Sequence, residues 1–243
     1  MAYWEENYEK NMIDIHCHII YNVDDGAKNI EDSMRMVSEA ARLGIQSIIA
    51  TPHYNKSIFI YEKVLENFTQ LKLKSKSLGI ELFLGYEIFL CTSLSDIFSG
   101  KRKYTLNNSS YLLFELPFDI MPIGLSSTIQ KLYCQGLIPI IAHPERNKYF
   151  LRDMDSFIDL IASHCLVQLD AASIAGANGF NVKRFSKKLI KKNLVNFVAS
   201  DAHRPEDYSE WYQKAVKNVK NWAGEEYCRR VFGQNQSVIL NYG

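Results

Sequence analysis

The chain has 243 residues, 47% of them hydrophobic and 23% charged, enough to bury the core of one sizeable domain. Its 28 basic and 27 acidic residues leave a formal net charge of +1, so no overall field points to nucleic acid or an anionic lipid surface, and any anion recognition must be local. The five cysteines (Cys17, Cys91, Cys134, Cys165, Cys228) are odd in number, scattered and never in a C-x-x-C pair, which speaks against a disulfide framework or a thiolate zinc site and suits a reducing cytoplasm.

The segment MAYWEENYEK is polar rather than a charged-then-apolar export signal, and residues 1–11 read as a short arm. No apolar run approaches the roughly 18 residues of a membrane span. From Met12 onward, short apolar runs alternate with helical patterns. Strands are predicted near residues 12–16, 45–50, 80–86, 111–116, 137–142, 166–170 and 195–200. Asn29 is placed to cap a helix with Ile30, Met34, Val37 and Ala41 on one face and Gly44 at its end, and Gly79 and Gly136 close two more. Seven β-then-α repeats without a Gly/Ser or Pro-rich linker predict one domain over 12–243, with a parallel sheet closed as a TIM-like (β/α)7 barrel.

Five of the six histidines, His16, His18, His53, His143 and His203, fall at or just after the C-terminal end of a predicted strand; His164 does not. In a parallel barrel those ends share one mouth. In Ile13-Asp14-Ile15-His16-Cys17-His18, alternation sends the two histidines to one face and Cys17 to the other. An H-x-H alone is equally two polar residues at a strand end, and Asp24-Asp25-Gly26 alone is ordinary turn chemistry. Asp25, however, follows His18 by only seven residues and can return an oxygen to the same mouth. Glu87 and Glu115 end the third and fourth strands among apolar residues, where a carboxylate needs a cation or hydrogen-bond donors, and no lysine or arginine adjoins them. Asp201 and His203 alternate as His16 and His18 do. Mixed nitrogen and oxygen donors without thiolate suit manganese, iron, zinc or magnesium, and the carboxylate share favours manganese.

The segments IDIHCHIIYNVDDGAK, IIATPHY, LGYEI, LFELP, IAHPER and VASDAH, in this order, resemble the polymerase-and-histidinol-phosphatase (PHP) superfamily, and within it the bacterial protein-tyrosine phosphatases of capsule and exopolysaccharide operons. The resemblance implies a distorted barrel and three divalent metal ions, manganese foremost. One ion would sit on His16, His18, Glu87 and Asp201, a second on Glu87, Glu115 and His143, and a third on Asp25, His53 and His203. Arg146 would bind phosphate, with Arg204 a second candidate. It also implies a cytoplasmic enzyme that removes phosphate from tyrosine on a protein, with the tail of an autophosphorylated bacterial tyrosine kinase as partner.

A cysteine nucleophile would require arginine six residues on, and those positions hold Val23, Ile97, Ile140, Ala171 and Gln234. The alternatives are a small-molecule phosphatase of the histidinol-phosphate type, on the same ligands, and a non-catalytic module that keeps metals for stability. The basic run Lys183, Arg184, Lys187, Lys188, Lys191 and Lys192 is either a solvated helix face or a dock for an acidic tail.

Overall fold

The computed structural model describes residues 12–54, 59–90 and 102–241, so the N-terminal arm with Tyr3 and Tyr8, and Cys91, lie outside the described residues. Among the described residues, nine strands run in two parallel sheets. Strands β1 (Met12–Asp14), β2 (Ile45–Ala50) and β4 (Glu81–Leu84) pair in that order; β3 (His53–Tyr54), β5 (Glu87–Phe89), β6 (Tyr111–Glu115), β7 (Ile138–Ala142), β8 (Leu166–Asp170) and β9 (Phe197–Ala199) form the second sheet. All seven predicted strands are present. The second and third are each followed, after a short break, by a short strand outside the predicted bounds, β3 and β5, and both breaks have local causes. Pro52 lacks the N–H a continuing ladder needs. At Gly85 a Cβ would lie 2.7 Å from Leu106 Cδ2 and 3.0 Å from Ile49 Cγ2. Backbone bonds from Gly85 N–H to Ala50 O (2.9 Å) and from Glu87 N–H to Pro52 O (3.3 Å) carry the pairing across these steps.

The far ends of the two sheets also meet. Past β1 and β9, His18 N–H donates to Ala202 O and Asp201 N–H donates to His16 O, each at 2.9 Å, around a parallel bridge between Cys17 and Ala202. The chain segments bearing the predicted ligands are thus stitched to each other by backbone.

Strand alternation sorts the core into two clusters. Ile13, Ile15, Ile49, Leu113, Ile140, Ala142, Phe197 and Ala199 pack together with Leu106 and Ile239. Their neighbours Ile48, Ala50, Leu112, Phe114, Ile141 and Val198 join the larger cluster, which the helices complete. Those helices include α1 (Ile30–Arg42), α2 (Tyr61–Ser75), α3 (Leu125–Cys134), α4 (Lys148–Arg152), α5 (Met154–Ile161), α6 (Ala171–Ala175) and α7 (Phe180–Lys191). Asn29 caps α1 as predicted, its side chain accepting from Asp32 N–H at 2.8 Å. The buried face of α1 differs from the expected stripe: Ser33, Met36, Val37 and Ala40 are buried, and Ile30, Met34 and Ala41 only flank them. Both stripes satisfy a period of 3.6, and the choice between them is made by what the helix packs against. Gly79 and Gly136 take left-handed φ of 70° and 79° after their helical segments, as expected of C-terminal stops. No helix among the described residues is long and apolar enough to cross a membrane.

Candidate metal centre

Glu87, at the start of β5, is the hub. Its Oε2 lies 3.3 Å from His16 Nε2, 3.5 Å from His18 Nε2 and 2.9 Å from His53 Nδ1, while Oε1 lies 2.9 Å from His143 Nε2. Asp201 Oδ1 faces the same pair of histidines, at 3.3 Å from His16 Nε2 and 3.4 Å from His18 Nε2. The two Nε2 atoms are themselves 3.4 Å apart. Donors held about 2.1 Å from one ion stand about 3.0 Å apart at the edges of an octahedron and about 3.4 Å apart in a tetrahedron, so His16 and His18 have the spacing of shared ligands with Glu87, and also with Asp201.

The other predicted ligands extend this cluster. Glu115 ends β6 with Oε1 3.4 Å from His53 Nδ1 and Oε2 3.9 Å from His143 Nε2. Asp25 Oδ1 lies 3.5 Å from His53 Nε2 and 3.4 Å from His203 Nε2. His53 thus presents one nitrogen to the Glu87–Glu115 side and the other to Asp25. His18, Asp25, His53 and His203 each offer an atom within 4.8 Å of the others, as do His53, Glu87 and Glu115. All nine residues converge. His143 and Asp201 take left-handed φ of 32° and 50°, conformations that cost energy for residues with a Cβ.

The donor set fits divalent ions. Glu87 is fully buried, and its Oε2 makes no hydrogen bond of acceptable geometry among the described residues although three imidazole nitrogens face it. Convergent lone pairs repel unless a cation or protons lie between them. Where no ion is bound, protons would take that part. Burial opposes charging His16, but Glu87 and Asp201 outweigh it and raise its pKa to about 9. His18, His53 and His143 are raised against the same burial by their carboxylate neighbours. Glu87 and Asp201 are held below the usual carboxylate range, burial again opposing and His16 prevailing. Glu115 goes up, through its own burial and the charge of Glu87.

A second layer of side chains aims these ligands, and only part of it was visible in the sequence. Asp24, whose place in Asp24-Asp25-Gly26 reads alone as turn chemistry, accepts from His18 Nδ1 at 2.8 Å, Gly26 N–H at 3.0 Å and His53 N–H at 3.1 Å. Gln168 Oε1 on β8 sits 2.9 Å from His16 Nδ1. Asp14 receives Ser200 N–H at 3.0 Å, Ser200 Oγ at 2.5 Å and Tyr208 OH at 2.8 Å, tying β1 to the segment that carries Asp201. Asp14 stands two residues before His16, a signal available in the sequence; Gln168 had none.

Arg146 follows β7 and lines the same cavity. Its NH1 donates to Asp201 Oδ2 at 2.8 Å and its guanidinium lies 4.6 Å over the Phe118 ring. The cavity encloses about 440 Å³, with Phe89, Leu116, Pro117 and Phe118 as its apolar wall. Arg204 does not line it: its side chain is 67% exposed and donates to Asp207 Oδ1 at 2.8 Å, three residues on. His164 stands apart from the cluster, stacked on Tyr133 at 4.1 Å.

Parallel strands whose ends gather histidines and carboxylates around a shared acid, beside an arginine, define an α/β protein equipped to hold divalent metal ions next to an anion. Residues 12–241 match the family model for capsular polysaccharide synthesis, CpsB/CapC, and the chain belongs to that family. It is 38% identical over 199 residues to CapC of Staphylococcus aureus, covering 79% of this chain and 77% of that one. It is 36% identical over 219 residues to the tyrosine-protein phosphatase YwqE of Bacillus subtilis, covering 88% and 86%. A chain from the crystal structures of YwqE from Bacillus subtilis and CpsB from Streptococcus pneumoniae, described as unique metal-dependent tyrosine phosphatases, superposes with a TM-score of 0.86 at 34% identity over 96% of both chains.

Proposed function

We propose that this chain is a metal-dependent phosphatase that removes phosphate from tyrosine on a protein, in a distorted (β/α)7 barrel whose two sheets are arcs of one ring. The observation that carries the activity is the convergence of nine nitrogen- and oxygen-bearing side chains on Glu87 and its neighbours, with Arg146 in the same cavity. The likeness to YwqE supports the substrate class. The bonds joining residues 16–18 to 201–202 support the ring.

In this reading three ions are held, by His16, His18, Glu87 and Asp201; by Glu87, Glu115 and His143; and by Asp25, His53 and His203. Manganese is the preferred metal. Bound divalent ions supply Lewis-acid polarisation of the phosphate and activate water. The chain's own groups do the rest. Arg146, with five N–H donors, keeps one on Asp201 and presents others to the phosphate oxygens. Phe89 and Phe118 line the cavity where the tyrosine ring enters, and an aromatic wall suits an aryl ester. A tyrosine leaving group, with a pKa near about 10, departs with little protonation, and no general acid is assigned. Arg204 has no part in this scheme. The partner that fits is the phosphorylated tail of a bacterial tyrosine kinase in the cytoplasm, which would place the enzyme in control of capsule or exopolysaccharide synthesis.

The test is hydrolysis of a phosphotyrosine peptide, a phosphoserine peptide and histidinol phosphate by metal-stripped protein with and without manganese. Manganese-restored, phosphotyrosine-selective turnover is expected. Preference for histidinol phosphate would replace the substrate, and turnover unchanged by metal removal would overturn the metal mechanism. No turnover of any of the three with manganese present would leave a metal-stabilised binding module.

A further inference from the structure

The basic run on α7 does not act as one face. Lys183 Nζ donates to Ala175 O at 3.1 Å, and Lys187 lies 5.3 Å over the Trp222 ring. Arg184 and Lys188 instead share a groove with Lys148 and Arg152 of α4, with Leu151 and the buried Phe185 among its lining. The groove encloses about 430 Å³. Its four cations are exposed, and only Lys148 has an acidic partner among the described residues, Asp119 at 2.5 Å. The nearby carboxylate of Asp153 is engaged in capping α5, accepting from Ser156 N–H at 3.0 Å and Ser156 Oγ at 2.6 Å. Arg184 and Lys188 stand one helical turn apart, where like charges repel. In a chain of net charge +1 this is a local, unbalanced positive field inside a concave site.

Its position relative to the metal centre gives the groove meaning. Arg146 lines the metal cavity and Lys148 lines the groove, two residues later. Two residues span at most about 7 Å. The four further steps along α4 to Arg152 add about 6 Å. The two α4 cations of the groove, Lys148 and Arg152, therefore lie within about 13 Å of Arg146 along the backbone, the reach of roughly four residues of extended peptide. The rim between the two sites is held in place: Lys148 N–H donates to Phe118 O and Asn147 Nδ2 to Pro117 O, each at 2.7 Å. Phe118 on that rim is 40% exposed. A polypeptide with its phosphotyrosine in the cavity can cross Phe118 and lie along the groove.

We propose that the groove formed by Lys148, Arg152, Arg184 and Lys188 binds aspartate and glutamate side chains of the substrate polypeptide, about two to six residues from its phosphotyrosine. This rests on the phosphatase reading above and adds a specificity determinant to it. Charge complementarity chooses the occupant: several separate cations along a groove suit several separate carboxylates.

The experiment compares kcat/KM of the manganese-loaded full chain, and of Arg184→Glu/Lys188→Glu, on para-nitrophenyl phosphate and on phosphotyrosine peptides whose flanks are acidic on the N-terminal side, acidic on the C-terminal side, or neutral. An acidic flank on one side should raise kcat/KM of the unaltered chain about ten-fold over the neutral peptide, the sum of a few surface ion pairs, and added salt should erode the advantage. The double variant should lose that preference while hydrolysing para-nitrophenyl phosphate as before. Arg184→Ala/Lys188→Ala, which adds no new charge, should give the same direction with a smaller change. Equal kcat/KM on all peptides, alongside intact turnover of each, would overturn the groove and leave the phosphatase standing. If the unaltered chain alone binds phosphatidylglycerol vesicles and peptides are not discriminated, the groove belongs to a lipid surface and the proposal fails. Turnover of para-nitrophenyl phosphate without any phosphotyrosine peptide would remove the substrate class and the groove's role together.

Discussion

Replacing Asp24 with asparagine tests whether the residue that aims the ligands matters as much as the ligands themselves. The Asp24 side chain is 4% exposed and serves three donors with two oxygens: Oδ2 accepts from His18 Nδ1 and His53 N–H, and Oδ1 from Gly26 N–H. Asparagine has one acceptor oxygen. Turned towards the two histidines, it sets its NH2 against the Gly26 N–H; turned the other way, it abandons both histidines. With an ion bound, the carboxylate would also keep the His18 proton on Nδ1 and leave Nε2, beside Glu87 and Asp201, free to coordinate. Losing such a partner typically lowers metal affinity 10- to 100-fold, about 1.4–2.7 kcal/mol. The assay titrates manganese into metal-stripped Asp24→Asn and reads half-saturation by calorimetry and by aryl phosphate hydrolysis. The metal concentration at half-saturation should rise by that factor while kcat at saturation changes little. A folded variant with half-saturation within about twofold of the unaltered chain would refute the reasoning.

The same loop is intolerant of bulk: a Cβ on Gly26 would overlap the His18 carbonyl oxygen and stand 2.5 Å from the His18 Cβ, so Gly26→Ala should cost about 1–3 kcal/mol in urea unfolding and weaken metal binding as well. Metal-stripped protein should lose stability between about pH 7 and about pH 9.5. His16, raised to about 9 by Glu87 and Asp201 against its burial, contributes stability that is complete below its ordinary 6.5 and lost as pH rises through about 9. Asp170, pushed up to about 7 by burial and by Asp201 and Glu145, loses its contribution between its ordinary 3.8 and about 7, below this window. Glu87 and Asp201 are lowered and His203 is lowered, so their contributions are constant across this window. A thermal midpoint that stays level or rises over that interval, in the absence of metal, would contradict this balance. Alkylation should reach Cys134, exposed at the end of α3, before the buried Cys17, Cys165 and Cys228, and labelling at Cys134 should leave phosphatase activity intact; loss of activity tracking that one label would revive a thiol mechanism.

Seven of the nine described strands and the nine candidate ligands were legible in the sequence because each is a local signal: apolar runs, and a histidine or carboxylate at a strand end or, for Asp25, on the loop just after one. That locality also explains why His164, which ends no strand, is separable from the other five histidines on sequence alone. Tertiary structure decided whatever depends on a partner distant in sequence. Gln168 meets His16 across 152 positions, and Ser200 and Tyr208 meet Asp14 across 186 and 194, with no pattern along the chain to join them. The face that α1 buries, the turn of Arg204 towards Asp207 and the division of the α7 lysines and arginine between support and groove are choices among locally equivalent arrangements. Periodicity states which residues share a face; only the packed neighbours determine which face is buried, which is left to a ligand and which stays in water.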